Sequence, residues 1–237
     1  MSGMKMWAIY DLEDASASRD EAADTFYSLC NIDSNLCQLP KGLAVEVVVL
    51  YVGDMLFMPP GKFHKVYMLL MTFAVGGHLL SYLTMHLSEW SCFLDQLHGS
   101  LFTNQEHQDT LLVLHRMVVA IPRLSHCKLY HHTMVALCTM VLNPGQYMPQ
   151  CTSEDDDLPH RPGKGGKKAK GRKAVKTSKN NLDSKCCINQ ANEIANCVLQ
   201  VLKLDSAGAV SVLDDQPYNE VGDEVELGGA LAQFQAY

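Results

Sequence analysis

Gly53-Asp54-Met55-Leu56-Phe57-Met58-Pro59-Pro60-Gly61-Lys62-Phe63-His64 is the stretch on which the fold turns. Gly53-Asp54 makes a turn, and Met55 to Met58 reads as a short apolar strand. Pro59-Pro60-Gly61 then stops it, because two prolines remove ladder donors and glycine permits a tight turn. His64 opens the next apolar run, to Leu70. A histidine at the head of a strand, directly behind a turn, is aimed at the rim of a sheet. Imidazole is a good Fe(II) ligand, and two histidines with one carboxylate leave coordination positions open for substrate and oxygen. On spacing alone the plainer reading, a turn histidine bonded to backbone, is preferred.

Outward from this stretch the pattern is consistent with a sheet. Leu43 to Val52 (LAVEVVVLYV) is rich in β-branched residues and reads as a strand. Met4 to Asp11 (MKMWAIYD) is a short apolar run of strand length. Between them Leu12 to Lys41 is polar and irregular, with a short helix expected near Glu21 to Leu29. Thr72 to Ser81 is read as a further strand. The next zone is helical. Ser88 is expected to cap a helix over Glu89 to His98, Asp109 to start one reaching Ala120, and Lys128 to Leu142 to form a third, ended by Asn143-Pro144-Gly145. Cys186 to Leu204 has helical character, and the tail from Asp205 to Tyr237 gives no clear pattern.

Composition sets the outer limits. The chain has 237 residues, 47% hydrophobic and 19% charged, as expected of a globular protein with a buried core. Its net charge of -7 conceals an asymmetry. Nine of the 19 basic residues lie between Arg161 and Lys179, where there is no acid, so ten remain elsewhere against all 26 acidic ones. That basic tract follows Glu154-Asp155-Asp156-Asp157, and the span 150 to 181 has too little apolar surface to offset the entropy of ordering it. A disordered linker is expected there. The nine cysteines include no CxxC pair, which argues against a disulfide framework or a zinc site and for reduced thiols. The first ten residues have no secretory pattern, and the most apolar stretch, Val66 to Leu83, is interrupted by Gly76, Gly77 and His78, so it is read as core strand and no membrane contact is expected.

Other chemistry is weakly signalled. No nucleophile elbow or phosphate loop occurs. His131 and His132 are neighbours in a predicted helix, near His126, but adjacent helical residues point in different directions, so a surface or satisfied core pair is the expected role. The basic tract, through Lys167, Lys168, Arg172 and Lys173, reads as a nuclear import segment that an import receptor would recognise by charge. Its nucleic-acid contact would be nonspecific, because no aromatic residue is interleaved for base stacking.

Three short motifs, in order, resemble the Jumonji C (JmjC) family of iron- and 2-oxoglutarate-dependent oxygenases, nearest the plant-homeodomain-linked lysine demethylases. Gly53 to Tyr67 resembles the family stretch in which a Gly-Asp turn, an apolar strand and Pro-x-Gly precede the distal iron histidine. Phe73-Ala74-Val75-Gly76-Gly77-His78-Leu79 resembles the family's Ala-x-Gly-Gly-Asn-Phe, with His78 in place of Asn and Leu79 in place of Phe. Gly3-Met4-Lys5-Met6-Trp7 resembles the Gly-x-Lys-x-aromatic strand whose lysine holds the distal carboxylate of 2-oxoglutarate. The resemblance covers about the first third of the chain.

That resemblance implies an α+β fold: a partial double-stranded β-helix (a jelly roll of cupin type) over 1–86, a helical layer over 87–149, the linker over 150–184, and a helix with an acidic tail over 185–237. It implies His64 as an Fe(II) ligand, Lys5 as the 2-oxoglutarate anchor and His78 at the pocket. It also implies C–H hydroxylation, often on N-methyl-lysine, with a histone or other protein as substrate in intact relatives. The family's His-x-Asp/Glu ligand pair lies upstream of the lysine strand. Here the one such tripeptide, His107-Gln108-Asp109, lies downstream of His64, at the start of a predicted helix. The expectation is therefore an incomplete iron site with His64 as its single ligand, and no turnover by the chain as it stands. The alternatives are a noncatalytic nuclear or chromatin-associated interaction protein and a cupin of storage or scaffold type. Nuclear residence is the first expectation, cytoplasmic the second.

Overall fold

A computed structural model describes residues 3–29, 39–98, 109–124, 127–147 and 180–235, without the side chains of 98 and 180–184. The expected linker as far as residue 179, with its basic tract, and the His107-Gln108 pair lie outside the described residues, whereas 180–184, also expected in the linker, open a helix. The fold is mixed: a small antiparallel sheet, then a C-terminal helical region.

The sheet has three strands, β1 (Met4–Leu12), β2 (Leu43–Tyr51) and β3 (Phe63–Leu70), in the order β2-β1-β3. Both pairings of the central strand are antiparallel. Between β1 and β2 runs helix α1 (Arg19–Ser28), started by a capping box in which Ser18 and Glu21 satisfy each other's backbone donors. After β2 the expected Gly53-Asp54 turn forms. Gly53 takes φ +100°, and the Asp54 carboxylate accepts from the Tyr51 N–H at 2.8 Å.

Two expected strands are absent. Residues 55–58 and 71–81 have no ladder pairing. A strand exists only where a neighbour accepts and donates its hydrogen bonds, and β1 is already paired on both edges. Among the described residues no strand lies against the outer edge of β3, and the apolar run after it is exposed: Phe73 is 98% exposed and Val75 101%.

The helices are α2 (Met85–His98), α3 (Thr110–Ala120), α4 (His131–Leu142), α5 (Asn180–Val201) and α6 (Ser206–Asp215). α2 begins a turn earlier than its expected Ser88 cap. Ser81 caps a short 3-10 turn at Tyr82–Thr84 that feeds the helix, and Ser88 instead donates to the Thr84 carbonyl one turn back. α4 begins later than expected, because Leu129–Tyr130 forms strand β4, paired with β5 (Glu224–Val225). α4 is buried from His132 to Val141. A helix with apolar residues all round belongs at the centre of a core. α2, α3, α5 and α6 pack around it with Met85, Leu114, Val118, Ile194, Val198 and Leu213. No single helix among the described residues is long and apolar enough to cross a membrane.

A second, smaller core joins sheet to helices. Ala8, Tyr10 and Leu43 meet Phe26 of α1 and Trp90 of α2. Phe26 stacks on Phe63 at 4.1 Å and meets Trp90 edge-on at 5.6 Å. Gly61, at φ +76°, lets the turn before β3 lie on the Trp90 ring, since a Cβ there would come within 3.3 Å of it. Buried between the cores, Arg19 reaches Glu89 at 2.5 Å and Asp214 at 3.2 Å, and its guanidinium lies 3.6 Å from the Phe93 ring centre.

Candidate functional site

Directly opposed residues in an antiparallel pair put their side chains on the same face, and parity alternates along each strand. Ile9 opposes His64, Trp7 opposes Val66 and Lys5 opposes Met68, so Lys5, Trp7, Ile9 and His64 share one face. Ala8 and Tyr10 point the other way, into the small core. The face with Lys5 and His64 is thus the one turned away from α1 and α2. Four residues separate Lys5 from Ile9, which sets Lys5 about 13–14 Å along the sheet from His64 at the rise of an antiparallel strand. Trp7 stands between them and stacks on His64, with ring centres 5.1 Å apart and planes at 27°. The Trp7 ring N–H is buried and has no hydrogen-bond partner. His64 itself is exposed, with Nδ1 3.1 Å from the Lys62 carbonyl oxygen. That contact is the turn-histidine bond expected on spacing alone.

His78 does not join this group through a strand. Residues 71–81 form no strand, so the expected position on a strand beside that of His64 is not formed. Lys167, Lys168, Arg172 and Lys173 lie outside the described residues.

One carboxylate on this face was not singled out in the sequence. Glu46 opposes Ile9 from β2, in the same cross-strand row as His64. Two strand spacings separate Glu46 from His64, about 10 Å, with Ile9 between them. Alternation along LAVEVVVLY would have put Glu46 on one sheet face, but which face holds His64 is a matter of register between strands that are distant in sequence. A facial triad needs two imidazoles and a carboxylate converging on one point. His64 is the one imidazole here, and among the described residues no three His, Cys, Asp or Glu side chains come close enough to hold a metal. The described residues therefore do not fit iron, and no chemical step is derived through it. What the face does offer an anion is the Lys5 ammonium, on the same strand face as Trp7.

The other concentration of polar groups is interior. Glu89, 2% exposed, is held by Arg19, and the Tyr147 hydroxyl bonds to the same carboxylate. Burial raises the Glu89 pKa, and Arg19 pulls it partly back. His86 and His132, both buried, face each other with ring centres 5.3 Å apart. Of the neighbours His131 and His132, His132 is thus a core residue, and it faces His86 of α2. His86 carried no signal in the sequence, because its partner is 46 positions away. The free thiols include Cys92, pushed up to about 12 by burial and the carboxylates of Asp95 and Glu89, and the fully buried Cys138.

No family model, no curated protein and no solved structure matches the chain.

Proposed function

We propose that the chain is built on the sheet and helical layer of a JmjC-type oxygenase, a partial jelly roll, and that in its present form it binds rather than oxidises. The observation that carries this reading is the register of β1 against β3, with Lys5 and His64 on the same face and an aromatic residue between them. Two motifs separated by almost 60 residues lie on one sheet face, about 13–14 Å apart, which supports the resemblance. Among the described residues one imidazole and no converging carboxylate stand on this face, which supports binding without Fe(II) held there. The face keeps a cation suited to a carboxylate.

The test uses the purified chain with Fe(II), ascorbate and 2-oxoglutarate. Succinate release is expected to stay at the level of a no-protein control. Trp7, stacked on His64 and on the same strand face as Lys5, is the reporter for binding in a Trp90→Phe background. Quenching by 2-oxoglutarate is expected in the millimolar range and should vanish in Lys5→Ala. Succinate release that depends on both iron and His64 would show that the noncatalytic assignment is wrong. Equal quenching with and without Lys5 would remove the anchor. An in-frame His-x-Asp encoded ahead of Met1 would return the reading to an active oxygenase acting on a histone or other protein.

A second reading rests on the basic tract. Nine cations without an acid, on an otherwise acidic chain, support nuclear entry and a role as a chromatin-associated interaction protein.

A further inference from the structure

The N-terminus of α4 lacks a side-chain cap. Tyr130 holds that position and contributes no capping hydrogen bond. The orphan N–H groups are satisfied from far along the chain. His131 N–H donates to the Asp223 carbonyl at 2.7 Å, and His132 N–H to the Val221 carbonyl at 3.1 Å. The segment Gln216 to Asp223, between α6 and β5, is therefore strapped across the start of α4. Gly222 lets it lie that close: at φ +72° a Cβ would sit 3.2 Å from the His132 nitrogen and 3.3 Å from the His131 Cβ. Tyr218 anchors the strap at its other end, packed on Trp90 at 4.6 Å.

Under the strap lies the histidine pair. The His132 Nδ1 bonds the Glu220 carbonyl of the strap. A carbonyl only accepts, so Nδ1 carries a proton and the neutral ring has its lone pair on Nε2. His86 is 3% exposed, and neither of its ring nitrogens completes a hydrogen bond, the backbone of Asn219 offering only a weak polar contact. Two neutral imidazoles fit this space. A proton on either would put a buried charge beside the other ring.

We infer that Gln216–Asp223 is an acid-released strap, held on α2 and α4 while His86 and His132 are neutral and let go when the pair takes up a proton. The groups facing the pair bear on it from every side. Arg19 of α1 and His131 of α4 disfavour a further positive charge on His132, while the Glu220 carboxylate of the strap favours it. Glu89, one turn along α2 from His86, is occupied by Arg19 and Tyr147, and Asp214 of α6 also binds Arg19. Burial is the larger influence on both rings. It lowers His86 to about 4, with His132 adding to the effect, and it lowers His132 in the same direction. The sign follows. Both folded values lie below the unfolded 6.5, so this contribution to stability is complete above about pH 6.5 and is lost as the pH falls from there towards 4.

The experiment is amide hydrogen exchange, corrected for intrinsic rates, at pH 7.5 and pH 5 on the full chain. The His131 and His132 amides are expected to lose protection by about tenfold or more, at a loss of up to tenfold per pH unit below 6.5. Amides in the middle of α4 and the far-ultraviolet helical signal should stay unchanged. Loss of all of these at one pH would be global acid unfolding and would overturn the inference. His86→Leu should keep strap protection at pH 5. If that variant does not fold, the His86 and His132 ring resonances of the unsubstituted protein decide: titration at or above 6.5 for both overturns the inference, and titration of both below it upholds it.

Discussion

Arg19→Met tests whether the buried charges between the two cores are a closed pair. Arg19 is 3% exposed and Glu89 2%, at 2.5 Å, whereas Asp214 is half exposed and its share is small. Methionine fills much of the aliphatic volume but leaves Glu89 without its cation. The carboxylate then escapes by taking a proton. Against an ordinary value of 4.5, protonation at pH 7 costs about 3.5 kcal/mol, at roughly 1.4 kcal/mol per unit. That ceiling, with about 1 kcal/mol for the lost guanidinium–ring contact to Phe93, gives an expected destabilisation of about 3 to 4.5 kcal/mol at pH 7, within the range seen when one partner of a buried pair is removed. The total stability of a domain is only about 5–15 kcal/mol, so the variant would be close to unfolding.

The pH dependence gives the sharper discrimination. Burial raises Glu89, and removing Arg19 raises it further. A folded pKa above the unfolded one means that the folded state gains relative stability as pH falls, so the cost of Arg19→Met should shrink by about 1.4 kcal/mol per unit between pH 7 and 5. Arg19 also lowers His132, which moves the single variant in the same direction. The comparison is therefore with Arg19→Met/Glu89→Leu, which keeps the His132 effect and removes the carboxylate. Replacing a buried pair by apolar residues is often neutral or stabilising, so the double variant is expected within about 1 kcal/mol of the parent at pH 7. Urea unfolding followed by circular dichroism at pH 7.5, 6 and 5 measures all three proteins. A single variant costing under 1 kcal/mol, with no pH slope relative to the double, would mean that water reaches Glu89, and the reasoning would fail.

Gly61→Ala should cost about 1–3 kcal/mol, because alanine at φ +76° is strained and its methyl would press on the Trp90 ring; thermal melts and the near-ultraviolet signal of the aromatic cluster read it, and an unchanged melting temperature would count against the packing described. A reporter too large for passive entry, fused to Arg161–Lys179, should accumulate in nuclei, and Ala at Lys167, Lys168, Arg172 and Lys173 should abolish that. Unchanged accumulation of the substituted fusion would end the tract's assigned role.

Local signals carried much of this fold. The β-branched run of β2, the strand of β1, the Gly53-Asp54 turn and the Asn143-Pro144-Gly145 stop after α4 act within a few residues, and each appears where the residues say. What failed was non-local. Residues 71–81 have strand composition but no neighbour to pair with, and composition does not supply one. Leu129–Tyr130 reads as helix until Glu224–Val225, far along the chain, claims its hydrogen bonds. The tail after Asp205 gives no clear pattern because Gly and acidic residues interrupt its apolar ones, yet Ala209, Leu213, Leu227 and Leu231 are buried in the main core. At the candidate site, Lys5, Trp7 and His64 were legible as residues, and alternation along β1 puts Trp7 on the face of Lys5, but Glu46 joined them only through register.

The alternation of β1 gives a way to separate site from scaffold. Lys5, Trp7 and Ile9 face away from the helices, while Ala8 and Tyr10, each 7% exposed, face into the small core. A face that exists for binding can be altered with little effect on folding. Lys5→Ala should change stability by no more than about 0.5 kcal/mol, as for surface substitutions generally. His64→Ala loses the Trp7 stacking and should cost at most about 1.5 kcal/mol. Tyr10→Ala empties a place among Phe26, Phe63 and Trp90 and should cost about 3–5 kcal/mol. Urea midpoints give the three values. If Lys5 or His64 proved as costly as Tyr10, those side chains would be part of the packing. The open face would then be a core face, and the register argument for a site on it would lose its basis.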